Sequence, residues 1–211
     1  MTVEPLNPDT LGRRLFSFGV ITDTHVNQGE DDCNSPFEVN RLANRRMRYV
    51  IRDLNARDLA FVVNVGDLVH PVPAIPDLYA AAAARFHEQA KELNHPLYLT
   101  PGNHDVGDKP DPTMPTRPVT AESLADFHQA LGPSWYSLDR GPLHVVVLNS
   151  QIMNSSLPEA DAQRDWAEGD LEKHSDRRLV VMLHLPPYLD RPTEPSLGHY
   201  DTIADPGRGG L

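Results

Sequence analysis

Residues 97 to 107 read LYLTPGNHDVG, a short apolar stretch running without a spacer into Asn103, His104 and Asp105. Buried strands usually end in small or weakly polar turn residues. Here an amide, an imidazole and a carboxylate arrive together, each able to hold a metal ion or move a proton. The arrangement recurs along the chain. GVIT (19–22) is followed by Asp23-Thr24-His25, FVVNV (61–65) by Gly66-Asp67, and LVVML (179–183) by His184. In open α/β sheets ligands bind beyond the carboxyl ends of the strands, and parallel strands would bring all four polar ends to one edge. A lone Asp-x-His or Gly-Asp is more often a turn or a helix cap. Four in succession, all of ligand type, favour chemistry over capping.

The elements around these blocks follow from periodicity. RRLFSFGVIT (13–22), LAFVVNVG (59–66) and PLYLT (96–100) read as buried strands. From Glu38 to Arg57, apolar residues at Val39, Leu42, Met47, Val50, Ile51 and Leu54 suit one face of an amphipathic helix. The alanine-rich run from Asp77 to Leu93 is a second helix, with others over 121–131 and 160–174. WYSLD (135–139) and PLHVVVLNS (142–150) look like paired strands, and RLVVML (178–183) is another buried strand. Four prolines make 106–120 an extended loop, and beyond His184 neither period persists. Strands alternating with helices imply an α/β fold, and the hairpin-like pair implies a mixed sheet.

Bulk properties narrow the function classes. With 211 residues, 39% hydrophobic and 23% charged, the chain suits a globular domain with a sizeable core. The net charge of −11 repels a nucleic-acid backbone or an anionic membrane and suits a site that collects cations. Cys33 is the single cysteine, so neither an internal disulfide nor a thiolate cluster can form. The N-terminal stretch has no apolar core of a secretory signal and no run is long enough to span a bilayer, so the cytoplasm is the expected compartment.

Carboxylate, imidazole and amide oxygen donors suit manganese, iron or zinc. Asp23 and His25, being alternate residues of an extended segment, project to the same side. A central carboxylate such as Asp67 can bridge two ions and offset their repulsion at about 4 Å. Gly66 leaves room where backbone and ions approach.

These blocks resemble the calcineurin-like metallophosphoesterase superfamily, whose signature runs D-x-H, G-D, G-N-H-D/E, a lone H, then G-H-x-H. The resemblance spans about Phe16 to Pro187, and Gly102-Asn103-His104-Asp105 is its most specific part. It implies two mixed β-sheets packed face to face with helices outside, in a four-layer sandwich. It implies that Asp23 and His25 hold one metal ion, Asn103 and His184 the other, and Asp67 bridges them. His104 would stand beside the scissile phosphate as general acid or charge stabiliser, steered by Asp105. The implied activity is hydrolysis of a phosphodiester or phosphomonoester by in-line attack of a metal-bridging hydroxide. The substrate would be small and phosphorylated, such as a nucleotide, and the finer likeness is to class III cyclic-nucleotide phosphodiesterases. GDLVH (66–70) lacks the tyrosine of purple acid phosphatases, which speaks against a tyrosinate–iron(III) centre.

The fifth block departs from the pattern. Gly198-His199-Tyr200-Asp201 is the only similar string, and the two prolines before it argue against a central strand. It is read as a loop, with His199 or Asp201 as ligands the minority alternative. The expectation is a single domain over 1–211, cut short at its C-terminal end, with each metal lacking one imidazole and binding weakened. The competing reading is a catalytically silent scaffold with the same fold. His70, Asn149 and Ser150 could line the site or belong to ordinary loops. His87, His95, His128 and His174 are expected at the surface, and Arg45, Arg46 and Arg48 on a solvated helix face.

Overall fold

The faces of the strands decide the architecture, which a computed structural model describes for residues 14–30, 33, 35–107, 115–153 and 155–188. In chain order the elements are β1 (Gly19–Ile21), a 3-10 turn (Glu38–Leu42), α1 (Ala43–Asn55), β2 (Val62–Val65), α2 (Pro76–Ala90), β3 (Leu97–Thr100) and α3 (Asn103–Val106). Then come α4 (Ala121–Leu131), β4 (Tyr136–Arg140), β5 (Leu143–Val147), α5 (Pro158–Lys173) and β6 (Arg178–Met182). The first sheet has the order β1-β2-β3, with both pairings parallel. The second has the order β4-β5-β6, with β4 antiparallel and β6 parallel to β5.

Side chains alternate across each strand, so each sheet offers two faces. Val63 and Val65 of β2 and Tyr98 of β3 meet Val145 and Val147 of β5 and Val180 and Met182 of β6 in one apolar layer, capped by Phe16, Phe18 and Phe61. The opposite face of the first sheet, through Ile21, Leu97 and Leu99, packs on α1, α2 and α4. The opposite face of the second sheet, through Val146, packs with Ala167 and Trp166 of α5. Helix, sheet, sheet, helix is the resulting stack. Neither sheet could bury two apolar faces alone, so this layering follows from the alternation.

The helices form where capping and spacing agree. In α1, Met47, Ile51 and Leu54 recur at intervals of four and three and are buried. Pro76 and Pro158 open α2 and α5 at a position where a missing N–H costs nothing. Thr120 caps α4 by accepting from the Ser123 amide at 3.1 Å, while the Thr120 amide donates to Ser123 Oγ at 3.0 Å.

Several boundaries differ from expectation. The 13–22 strand shrinks to Gly19–Ile21, because only these residues find ladder partners on β2. The 38–57 helix begins with a separate 3-10 turn. The one-turn helix α3 has too few residues to show a period and escapes pattern reading. Three of the four polar strand ends lie at one edge of the first sheet. The fourth, His184, follows β6 and approaches from the facing sheet. Among the described residues no helix is long and apolar enough to cross a membrane.

Candidate metal centre

Beyond β1 and β2 the chain leaves the ladder without separating. The Asp23 amide donates to the Gly66 carbonyl, His25 to Asp67 and Val26 to Leu68, all at 3.0 Å. These bonds hold Asp23, His25 and Asp67 at φ of 54°, 43° and 52°. A left-handed conformation costs a residue with a Cβ about 1–2 kcal/mol. Three such residues in adjoining loops mark a place where geometry outranks local stability. Gly66, at φ 93°, supplies the turn, and a Cβ there would lie 2.5 Å from His184 Nδ1. A Cβ on Gly102 would lie 3.0 Å from Asp67 Cα. The loops after β2, β3 and β6 are in contact.

Asp105 fastens the loop after β3 to the loop after β2. Its buried carboxylate accepts from the amides of Gly102 at 2.8 Å, Leu68 at 2.9 Å and Val69 at 3.2 Å. Burial, with Asp67 nearby, pushes the Asp105 carboxyl up to about 7 against the pull of those amides. Tyr79 of α2 adds a bond from its hydroxyl to the Asp105 carbonyl at 2.9 Å.

The expected ligands converge. His25 Nε2 stands 3.6 Å from Asp67 Oδ2 and 3.8 Å from Asp23 Oδ1. His184 Nε2 stands 3.5 Å from Asp67 Oδ1 and 2.9 Å from Asn103 Oδ1. Two donors each about 2.1 Å from one ion are about 3.0–3.5 Å apart in octahedral or tetrahedral geometry. These separations are therefore close to those of ligands sharing an ion. The two oxygens of Asp67 face opposite imidazoles, as a bridging carboxylate would.

The donor chemistry also fits cations. His184 Nδ1 lies 2.8 Å from the Val65 carbonyl, which can only accept, so that nitrogen carries a proton. Neutral His184 then directs its Nε2 lone pair towards the Asn103 side-chain amide, whose oxygen lies 2.9 Å away, a nitrogen and oxygen pair that one cation would share. Burial opposes charge on His184, but Asp67, the Val65 carbonyl, Asp105 and Asp23 outweigh it and raise its pKa. His25 is the converse. Burial, then His104, His70 and His184, lower its pKa to about 3, so its imidazole is neutral and its lone pair available.

His104 lies beside this group, its ring 4.8 Å from that of His25 in an edge-to-face arrangement, and its amide donates to Asp67 Oδ1 at 2.9 Å. Its Nδ1 lies 3.2 Å from Nδ1 of buried His70. One ring must donate and the other accept, so the tautomers of His70 and His104 are coupled. Ser150, also buried, accepts from the Leu185 amide at 3.0 Å and anchors the segment just after His184.

The family model for calcineurin-like phosphoesterases matches residues 16–206. The chain belongs to that family. Among curated relatives of this calcineurin-like phosphoesterase, the serine/threonine-protein phosphatase CPPED1 of Bos taurus is 31% identical over 164 residues, covering 71% of this chain and 46% of the relative. The 3',5'-cyclic adenosine monophosphate phosphodiesterase CpdA of Haemophilus influenzae is 27% identical over 167 residues, covering 78% and 53%. The chain thus spans about half the length of these relatives. A crystal structure of a dimetal phosphatase from Danio rerio superposes with a TM-score of 0.57 at 15% identity, covering 82% of this chain and 70% of the other, and shares the fold.

Of the residues singled out from the sequence, Asp23, His25, Asp67, Asn103, His104, Asp105 and His184 are brought together, while His199 and Asp201 lie outside the described residues. His70 joins the group because Asp67 and Pro71 bracket a short, buried turn. Sequence reading missed a second cluster. His144 of β5 is buried between Asp139, 2.9 Å from Nδ1, and Asp170, 2.7 Å from Nε2. Its ring stacks on His174 at 3.9 Å. His174, expected at the surface, is half-buried. No motif announces this cluster, since register and the docking of α5 create it.

Proposed function

We propose that this calcineurin-like phosphoesterase hydrolyses a phosphomonoester or phosphodiester at a dinuclear metal centre. Asp23 and His25 would hold one ion, Asn103 and His184 the other, and Asp67 both. Manganese, iron and zinc all suit this oxygen and nitrogen donor set. The observation that carries the proposal is Asp67, whose Oδ2 and Oδ1 face His25 and His184 at 3.6 and 3.5 Å. When bound, two dications supply Lewis acidity towards the phosphoryl oxygens and a nucleophilic water near neutral pH.

The chain's own residues do the rest. Asp105 holds the loops after β2 and β3 in one register, which sets the spacing of Asp67 and Asn103. His104, fixed through His70, offers its Nε2 edge to the reacting group as proton donor or charge stabiliser. Phosphoproteins and cyclic nucleotides, named in the relatives, are the first natural substrates to assay.

The test is Mn²⁺-dependent hydrolysis of p-nitrophenyl phosphate and bis(p-nitrophenyl) phosphate. Asp67→Ala and His104→Ala should abolish turnover, Asp67→Ala with loss of metal and His104→Ala without it. Metal binding with no turnover on either ester would favour the scaffold.

A further inference from the structure

We propose that the outward face of α1 and the turn before it dock an acidic polypeptide, presenting a phosphorylated side chain of that polypeptide to the metal centre. The delivery rests on the phosphoesterase reading above, whereas the docking does not.

The fold needs only the inner face of α1, where Met47, Ile51 and Leu54 are buried. The outer face carries side chains that the fold leaves unused. Tyr49 is 66% exposed, Phe37 58%, Val39 54% and Leu42 46%. These four are among ten large apolar side chains exposed in the described residues, yet all fall within residues 37–49. Single exposed apolar residues are ordinary, but a strip of them marks an interaction site. Leu42 and Tyr49 are seven residues apart and so share one face, two turns apart.

The charge of this segment opposes that of the whole. Residues 37–57 hold six arginines and two carboxylates, a net +4 on a chain of net −11. Arg48 pairs with Glu30, and Arg57 with Asp53. Arg41, Arg46 and Arg52 are exposed and form no ion pair among the described residues. Guanidinium groups flanking an apolar strip are suited to carboxylates and phosphates on a chain that also has aliphatic side chains. The strip is roughly 20 Å long, enough for about six extended residues.

Its position connects it to the site. Asn27, two residues past His25, donates its backbone amide to Asn44 Oδ1 at 2.9 Å and its side-chain amide to the Asn40 carbonyl at 2.6 Å. The start of α1 is thus fastened to the loop carrying Asp23 and His25. A polypeptide is favoured over the alternatives by charge. A bilayer or a nucleic-acid strand would extend past the strip and meet the acidic remainder of the surface, whereas a peptide can be acidic only where the strip is basic.

Fluorescence anisotropy of the 211-residue protein tests this with a labelled peptide of glutamate, aspartate and leucine around one phosphoserine. Arg46→Glu with Arg52→Glu, and separately Leu42→Ser with Tyr49→Ser, should each weaken binding about tenfold. Thermal unfolding and hydrolysis of p-nitrophenyl phosphate should stay at parental values. Parental binding by either double variant would overturn the proposal, as would tighter binding of the parent to phosphatidylserine vesicles or oligouridylate. If the parent binds the peptide and both variants lose it but no ester is hydrolysed, docking stands and the phosphoesterase reading fails. If esters are hydrolysed but the peptide is not bound, docking fails alone.

Discussion

Gly66→Ala should disable the proposed metal centre through a collision whose size can be worked out. The added Cβ would fall 2.5 Å from His184 Nδ1, 2.7 Å from its Cγ and 2.9 Å from Gly102 Cα. Ordinary contact begins near 3.4 Å, so the loops after β2 and β6 must part by about 0.9 Å (3.4 − 2.5). Moving the imidazole breaks its 2.8 Å bond to the Val65 carbonyl, a loss of about 1 kcal/mol. Holding alanine at φ 93° costs about 1–2 kcal/mol more. The total expected loss is about 2–3 kcal/mol of unfolding free energy in metal-free protein. Urea denaturation gives the number, and elemental analysis after Mn²⁺ loading should show fewer ions per chain. In a His184→Ala background the contacts with the imidazole vanish, and the conformational part, about 1–2 kcal/mol, remains together with the 2.9 Å approach to Gly102 Cα, so the loss should be smaller than in the parent. Loss of less than about 0.5 kcal/mol, or an equal loss in both backgrounds, would refute the proposed packing of Gly66 against His184.

Other perturbations probe other parts of the same frame. Asp105→Asn turns an amide towards N–H groups that need an acceptor and should cost about 2–3 kcal/mol, read from the urea midpoint, with the far-ultraviolet spectrum unchanged. His70→Ala should lower kcat about tenfold or more on an alkyl phosphate and less on p-nitrophenyl phosphate, with KM unchanged; equal losses on both would exclude a role in leaving-group protonation. Burial opposes the His144 imidazolium, but bonds to Asp170 and Asp139 outweigh it and raise its pKa. That stability is fully present below pH 6.5 and is lost as pH rises through the raised folded value. Thermal midpoints should therefore fall with rising alkalinity in the parent more than in His144→Gln, and parallel curves would contradict the assignment.

What could be read without coordinates came from local periods and from residue types that are costly to place at strand ends. Short apolar runs marked β2, β3, β5 and β6, spacing marked α1, and the helix expected over 121–131 matches α4, Ala121–Leu131. The proposed donors Asp23, His25, Asp67, Asn103 and His184 stood out because each lies within a few residues of the end of an apolar strand. What remained hidden involves contacts between segments far apart in the chain. Pairing of His70 with His104, the amide partners of Asp105, the burial of His144 between two carboxylates and the arrival of His184 from the second sheet depend on how loops and sheets stack. A period reports the environment of one element, whereas distances between residues 26 to 81 apart in the chain are set only when all the layers close on one another.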